Sequence, residues 1–230
     1  MDIKDFVDCA FFINLDYRKD RRIKIIQHLT ELDLYPFVER FSAIEGLPNM
    51  IDGGWMDDPI KRRLAAKACN QSHLLAIETA YNRKSERVLI LEDDAFFVQD
   101  GKKIVEKSLD QLSEIPDWDI FYLGANLSDE EINLISDNLI KCTHLHCAHG
   151  YILNRKSMRH ILENRSTLET GENLDDIDIF LSQKLKNKYL TYPLALVQRE
   201  DVVSDLAGGR QGLSTAFWEN SYRGKKINYV

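Results

Sequence analysis

Three consecutive carboxylates, Glu92-Asp93-Asp94, follow the apolar run Val88-Leu89-Ile90-Leu91. Four apolar residues in a row, two of them β-branched, read as a short strand buried on both faces. Side chains alternate along a strand, so Glu92 and Asp94 are expected to point one way and Asp93 the other. An acid-x-acid pair then sits at the end of a buried strand, where open α/β sheets place their ligands. Adjacent carboxylates repel by roughly 1 kcal/mol per pair in water and by several at lower dielectric. A hard divalent cation such as Mg²⁺ or Mn²⁺ removes that cost. The same stretch also reads as an acidic loop capping a helix that starts near Lys102.

Other residues of chemical interest fall in three places. Arg18-Lys19-Asp20-Arg21-Arg22 lies between a first strand and a first helix, where backbone N–H groups and guanidinium forks can hold phosphate. Extended, Cys142, His144 and His146 share one face and could join a zinc site, while Cys147 and His149 point away. Asp175, Asp176 and Asp178 open a helical segment, either to satisfy its macrodipole or to supply a general base. His73 reads as a packed or hydrogen-bonded histidine. No Gly-rich fingerprint supports a Rossmann dinucleotide site or a P-loop.

The elements that must position these groups alternate between strand and helix. Cys9–Leu15 is a buried strand, followed by a helix with Ile23, Ile26 and Leu29 inward, ending near Leu34. Pro36–Phe41 suggests a second strand, and Leu47–Pro59, with its glycines, prolines and Trp55, a long surface loop. Helices are expected over about Ile60–Tyr81 and Lys102–Leu112, with a strand at Trp118–Gly124. Ser128-Asp129-Glu130-Glu131 reads as a capping box opening a short helix. Asn154 caps a helix with Met158, Ile161 and Leu162 inward. Ile177, Phe180, Leu181 and Leu185 define a helix face, and Tyr189–Gln198 a last strand. This order predicts one α/β domain with a mostly parallel sheet flanked by helices over residues 1–206. A tail, 207–230, is expected to pack on or near the site.

The net charge of -7 argues against a general nucleic-acid binder. No apolar run approaches the ~20 residues of a membrane span, which leaves peripheral membrane association open. The start Met-Asp-Ile-Lys-Asp lacks the features of a signal peptide, and the end Ile-Asn-Tyr-Val is not a retention signal. A cytoplasmic protein with four reduced thiols is the expectation.

Eight stretches in one order resemble glycosyltransferase family 25. They are Phe12-Ile13-Asn14-Leu15-Asp16 through Arg21, Phe41-Ser42-Ala43-Ile44-Glu45-Gly46, Cys69-Asn70-Gln71-Ser72-His73, Leu91-Glu92-Asp93-Asp94, Trp118 through Gly124, Ala148-His149-Gly150-Tyr151, Asp178-Ile179-Phe180-Leu181, and Gln198 with Ser204-Asp205. The resemblance implies a single GT-A (nucleotide-diphospho-sugar transferase) domain, a UDP-galactose or UDP-glucose donor, a bound Mn²⁺ or Mg²⁺, and inversion at the anomeric carbon. The acceptor would be a hydroxyl of a glycan, a lipooligosaccharide or a protein-linked sugar.

By that resemblance Asp94 is the direct metal ligand, Glu92 binds the metal through water or touches the ribose, and Asp205 completes the metal or donor site. Asn14, Arg21, Ala43, Glu45, Ser72 and Asp93 form the donor-binding set. Asp178 is the base, with Asp176 as fallback. Two departures stand out: the family's Pro-Val before the base is Asp176-Ile177 here, and its Ala-Val-Asp-Gly is Ala43-Ile44-Glu45-Gly46. The competing reading is a non-catalytic nucleotide-sugar or glycan binding protein on the same fold. A metal-dependent nucleotidyltransferase is disfavoured, because the turn Asp16–Asp20 lacks the glycines of a triphosphate loop.

Overall fold

The computed structural model describes residues 1–46, 58–169, 176–201, 220 and 222–229. The chain runs α1 (Ile3–Phe6), β1 (Cys9–Asn14), α2 (Lys19–Glu31), β2 (Glu39–Ser42), α3 (Pro59–Asn82), β3 (Arg87–Glu92), β4 (Ala95–Phe97) and α4 (Gly101–Ser113). It continues with β5 (Ile120–Tyr122), β6 (Asn126–Leu127), β7 (Glu131–Ser136), β8 (Leu139–Cys142), β9 (Leu145–His146), β10 (Gly150–Asn154) and α5 (Arg155–Glu163). The last elements are α6 (Ser166–Glu169), α7 (Ile177–Lys184), β11 (Lys188–Thr191), β12 (Leu196–Gln198) and β13 (Lys226–Tyr229).

Nine described strands form one sheet in the order β13-β7-β8-β11-β5-β10-β3-β1-β2. The expected α/β architecture, a central sheet flanked by helices, is present. The sheet is mixed where a mostly parallel one was expected: four of its pairings are parallel and four antiparallel. The cause is β10, which enters antiparallel between β3 and β5, and the β7–β8 hairpin. A strand buried on both faces shows the same continuous apolar run in either orientation, so the sequence of Gly150–Asn154 does not disclose its direction.

Alternation divides the core into two layers. Phe11, Ile13, Val88 and Ile90 face one side, under Leu74, Ile77 and Ala80 of α3 and Phe180 and Leu181 of α7. Ala10, Phe12, Leu89 and Leu91 face the other, under Ile25 and Leu29 of α2 and Val105, Leu109 and Leu112 of α4. A large-to-small change in either layer removes buried methylenes and leaves a cavity, at a cost of about 2–5 kcal/mol for Ile or Leu to Ala. The chain therefore passes β1-α2-β2 over one face and β2-α3-β3 over the other. Strand β1 lies between β2 and β3, so the two connections diverge at its C-terminal end. That is the topological switch point at which open α/β sheets bind ligands.

Two local expectations are corrected. The segment after Ser128 forms no helix: Asp129 instead accepts the backbone N–H groups of Thr143 and His144 at 2.7 and 2.8 Å. The chain then enters β7, whose Ile132 and Leu134 are buried at a spacing of two. The last strand is two strands, β11 and β12, separated by the cis Tyr192-Pro193 bond. Of the tail, Lys226–Tyr229 pairs with β7 at the sheet edge opposite β2; most of it, like the loop 47–57, lies outside the described residues. Among the described residues no helix is long and apolar enough to cross a membrane.

Strand β4 pairs with β12, setting Ala95 opposite Gln198, and α2 secures this small ribbon through His28. The His28 ring stacks on Phe96 at 4.4 Å, and its Nε2 accepts the Phe97 N–H at 2.9 Å. Burial, helped by the positive charge of Arg199, pulls the imidazole down to about 4. Its unfolded value is near 6.5, so this group's contribution is intact above pH 6.5 and is lost as pH falls towards 4. Urea unfolding at pH 7 and pH 5 is expected to show a loss on the order of 1 kcal/mol from this group, after allowance for solvent screening. In His28→Gln that pH-dependent loss is expected to disappear; an unchanged pH profile in the variant would remove His28 as its source.

Candidate active site

The C-terminal ends of β1, β2 and β3 converge on a cleft open to solvent, about 760 Å³ when the solvent-filled mouth is counted. Ile13 and Leu15 come from the end of β1, Arg21 from the first turn of α2, and Ala43, Ile44 and Gly46 from the loop after β2. Ala65, Ala68, Cys69, Ser72 and His73 line it from α3, and Glu92, Asp93, Asp94 and Gln198 close it. Gly46 is required by close approach: a Cβ there would lie 2.7 Å from the Leu64 carbonyl oxygen and 2.9 Å from Ala68 Cβ.

All three carboxylates line this one cavity. The expected alternation fails because β3 ends at Glu92 and the chain turns at Asp93 and Asp94. Asp93 is buried and doubly held: Arg21 Nη1 lies 2.5 Å from its Oδ1, and Asn14 Nδ2 donates to its Oδ2 at 2.7 Å. Arg21 Nη1 is also 3.6 Å from Asp94 Oδ2. Asn14 is the hub of the arrangement. Its amide also donates to the Arg18 carbonyl at 3.2 Å, and its Oδ1 accepts from Arg40 Nε at 3.0 Å. Arg40 in turn pairs with Asp16 at 2.5 Å.

Asp94 is buried, and its Oδ1 has no hydrogen-bond partner among the described residues. Burial pushes its carboxyl up to about 7; Arg21 opposes the shift, and the charges of Glu92 and Asp93 reinforce it. Burial also disfavours the Glu92 carboxylate, but His73, with His149 and Arg21, outweighs it and holds the carboxyl below its usual range. His73 Nε2 lies 3.5 Å from Glu92 Oε1, and Gln198 Nε2 donates to Glu92 Oε2 at 3.5 Å. An orphaned carboxylate oxygen among three clustered acids is a donor set suited to a hard divalent cation. Asp94 and Glu92 are the residues of this set that could hold one.

The remaining candidates separate. Ser72 Oγ accepts the Ile44 N–H at 2.9 Å and donates to the Ala68 carbonyl, which ties the β2 loop to α3. Ala43 lines the cavity, while Glu45 is exposed and outside its lining. Asp178 is half-buried; its Oδ2 accepts the Cys147 N–H at 3.0 Å and its Oδ1 the Ile179 N–H at 2.8 Å. Asp176, exposed, precedes α7. Neither aspartate lines the cavity, yet the charges of both reach the Cys69 thiol on its wall, which burial raises well above its usual range. Asp205, Asp175 and Trp55 lie outside the described residues.

Among the described residues, Cys142, His144 and His146 do not come together in the zinc arrangement considered for them. Cys142 is buried in β8, while His144 and His146 are exposed, His144 against Asp129. Sequence reasoning missed the roles of Arg40 and Gln198. Arg40 is a cation inside a predicted strand, one position before the stretch Phe41–Gly46 but not part of it. Gln198 is placed by β12 pairing with β4, which no local pattern announces. The grouping of Cys69, His73 and Glu92 was also missed, although the first two are four residues apart on one helix.

The sequence profile described as "Glycosyltransferase family 25 (LPS biosynthesis protein)" matches residues 8–178. The chain is similar to a "Glycosyltransferase 25 family member" of Aedes aegypti, 29% identical over 174 residues, covering 69% of this chain and 28% of that protein. It is similar to "Procollagen galactosyltransferase 2" of Homo sapiens, 26% identical over 166 residues, covering 64% of this chain and 26% of that one. The chain thus spans little more than a quarter of the length of these curated relatives. Among solved structures, mannose-1-phosphate geranyltransferase from Thermus thermophilus superposes with a TM-score of 0.45 at 13% identity, over 80% of this chain and 72% of that one.

The charge cluster makes opposite predictions for two neutralising changes. The folded value of Asp94, about 7, lies above its ordinary 3.8. Its favourable contribution is therefore complete below pH 3.8 and is lost as pH rises through 7. Asp94→Asn is expected to raise the urea midpoint at pH 7.5, with the advantage shrinking at pH 5. Arg21→Gln leaves Asp93 buried without its cation and is expected to cost about 3–5 kcal/mol. Equal, small effects from both would contradict the charge arrangement.

Proposed function

Because this chain belongs to glycosyltransferase family 25, we propose that it transfers a hexose, galactose or glucose, from a UDP-sugar to a hydroxyl of a glycan, lipooligosaccharide or protein-linked acceptor. The observation that carries the reading is the buried Asp94, with an unpartnered oxygen, at the rim of the switch-point cavity. Asp94 and Glu92 would hold Mn²⁺ or Mg²⁺, which would neutralise the charge of the leaving diphosphate. Arg21 and Asn14 keep Asp93 in place and so orient the acidic turn. The loop Ala43–Gly46, tied down by Ser72, forms the wall on which the nucleoside rests, with Glu45 at its rim.

Transfer proceeds by direct displacement with inversion. The acceptor oxygen attacks the anomeric carbon as its bond to the diphosphate breaks. Asp178 takes the acceptor's proton, with Asp176 as the nearby alternative. Two backbone N–H groups fix the Asp178 carboxylate, and each of its oxygens keeps a second lone pair for that proton.

A panel of UDP-, GDP- and CMP-sugars with Mn²⁺, read by melting temperature and nucleotide release, tests the donor site. One UDP-sugar is expected to stabilise the chain and to be hydrolysed slowly. In Asp94→Ala that hydrolysis is expected to fall by about 10²–10³-fold with the fold retained. Stabilisation without turnover in any acceptor mixture would support a binding protein instead.

Asp178→Asn separates a base from a structural cap. It is expected to lower kcat by about 10²–10⁴-fold with donor affinity unchanged. A cap alone would lower the melting temperature and leave turnover of the folded variant at the wild-type rate.

A further inference from the structure

On the α3 wall of the cavity, a softer set of donors stands beside the acidic turn. Cys69 Sγ, a ring nitrogen of His73 and a carboxylate oxygen of Glu92 all lie within 4.8 Å of one another. We propose that Cys69, His73 and Glu92 bind one Zn²⁺ ion, in competition with the oxygen-liganded cation at Asp94.

Ligand chemistry separates the two ions. Mn²⁺ and Mg²⁺ favour carboxylate and water, whereas a thiolate, an imidazole and a carboxylate suit Zn²⁺. Metal–ligand bonds of about 2.0–2.3 Å in a tetrahedron require donors about 3.5 Å apart. His73 Nε2 and Glu92 Oε1 already stand at 3.5 Å. Cys69 and His73 are one helical turn apart, so α3 presents both on one face.

The orientation of His73 supports the same assignment. Its Nδ1 meets the Tyr151 hydroxyl at 2.8 Å, and the two rings stack with centroids 5.9 Å apart. Metal-bound histidines are held in this way, by a hydrogen bond at the second ring nitrogen. Here it leaves Nε2 towards Glu92. Burial, and then the charges of Glu92, Asp176, Asp178 and Asp94, disfavour a bare thiolate at Cys69; a bound divalent cation displaces the thiol proton and is itself attracted by the same carboxylates. All three donors line the open cavity, which leaves a fourth position to water. Zinc held there takes Glu92 away from the donor diphosphate, and only that consequence, inhibition of transfer, rests on the transferase reading.

Metal binding to the full-length chain can be read without any donor. Titration of the metal-free protein with Co²⁺ is expected to give a thiolate-to-cobalt charge-transfer band that saturates at one equivalent and is displaced by Zn²⁺. Cys69→Ala and His73→Ala are each expected to lose the band and to bind Zn²⁺ at least about tenfold more weakly. Cys142→Ala and Cys147→Ala are expected to keep it. In the unaltered chain, stoichiometric Zn²⁺ is expected to protect Cys69 from iodoacetamide, as mapped by mass spectrometry. Absence of the band, its survival in Cys69→Ala, or equal alkylation of Cys69 with and without Zn²⁺ would overturn the site.

Discussion

The buried contact between Arg21 and Asp93 is the constraint on which this site depends. It joins the first turn of α2 to the turn after β3, and Asn14 at the end of β1 completes it from below. A buried ion pair is not in itself a source of stability, because desolvation of two charges offsets most of their attraction. Its value here is positional. With Asp93 occupied, the chain must turn, and the turn carries Asp94 into a buried place where its charge is unfavourable. The protein holds a destabilised carboxylate where a cation can relieve it.

The same constraint explains the shape of the cavity. Connections over opposite faces of the sheet separate α2 from α3 above the end of β1. The crevice between them has a cationic side, from Arg21, and a polarisable side, from Cys69 and His73. Close backbone packing also holds β12 in place. At Gly124 an added Cβ would collide with the Leu196 carbonyl of β12, the strand that delivers Gln198 to Glu92. The buried carboxylates trade stability for a site whose chemistry suits a cation.

Much of the site was legible in linear order because its residues sit at strand ends, which short apolar runs disclose. Asn14, Arg21 and the acidic triplet each lie at or just beyond such a run and reach the cavity or its support, whereas Ser72 reaches it from the middle of α3. The misjudged orientation of Asp93 came from extending a strand period through a turn. The roles of Arg40 and Gln198, and the grouping of Cys69, His73 and Glu92, were missed for a different reason. Each takes its meaning from a partner distant in sequence, as in Glu92–His73 and Gln198–Glu92, and no periodicity carries that information.

By itself, the sequence determined the alternation of strand and helix, the two-faced burial of β1 and β3, and the position of the acidic turn at the end of β3. These follow from local patterning, in which apolar spacing and breaking residues act within a few positions of each other. Only the tertiary structure decided that β10 runs antiparallel inside the sheet. It alone turned the segment after Ser128 into a strand and brought α3, β3 and β12 to one cavity. Those outcomes depend on which distant surfaces bury each other and which buried charges find partners. Both are settled by the assembled core, since no short stretch of chain contains the two sides of the contact.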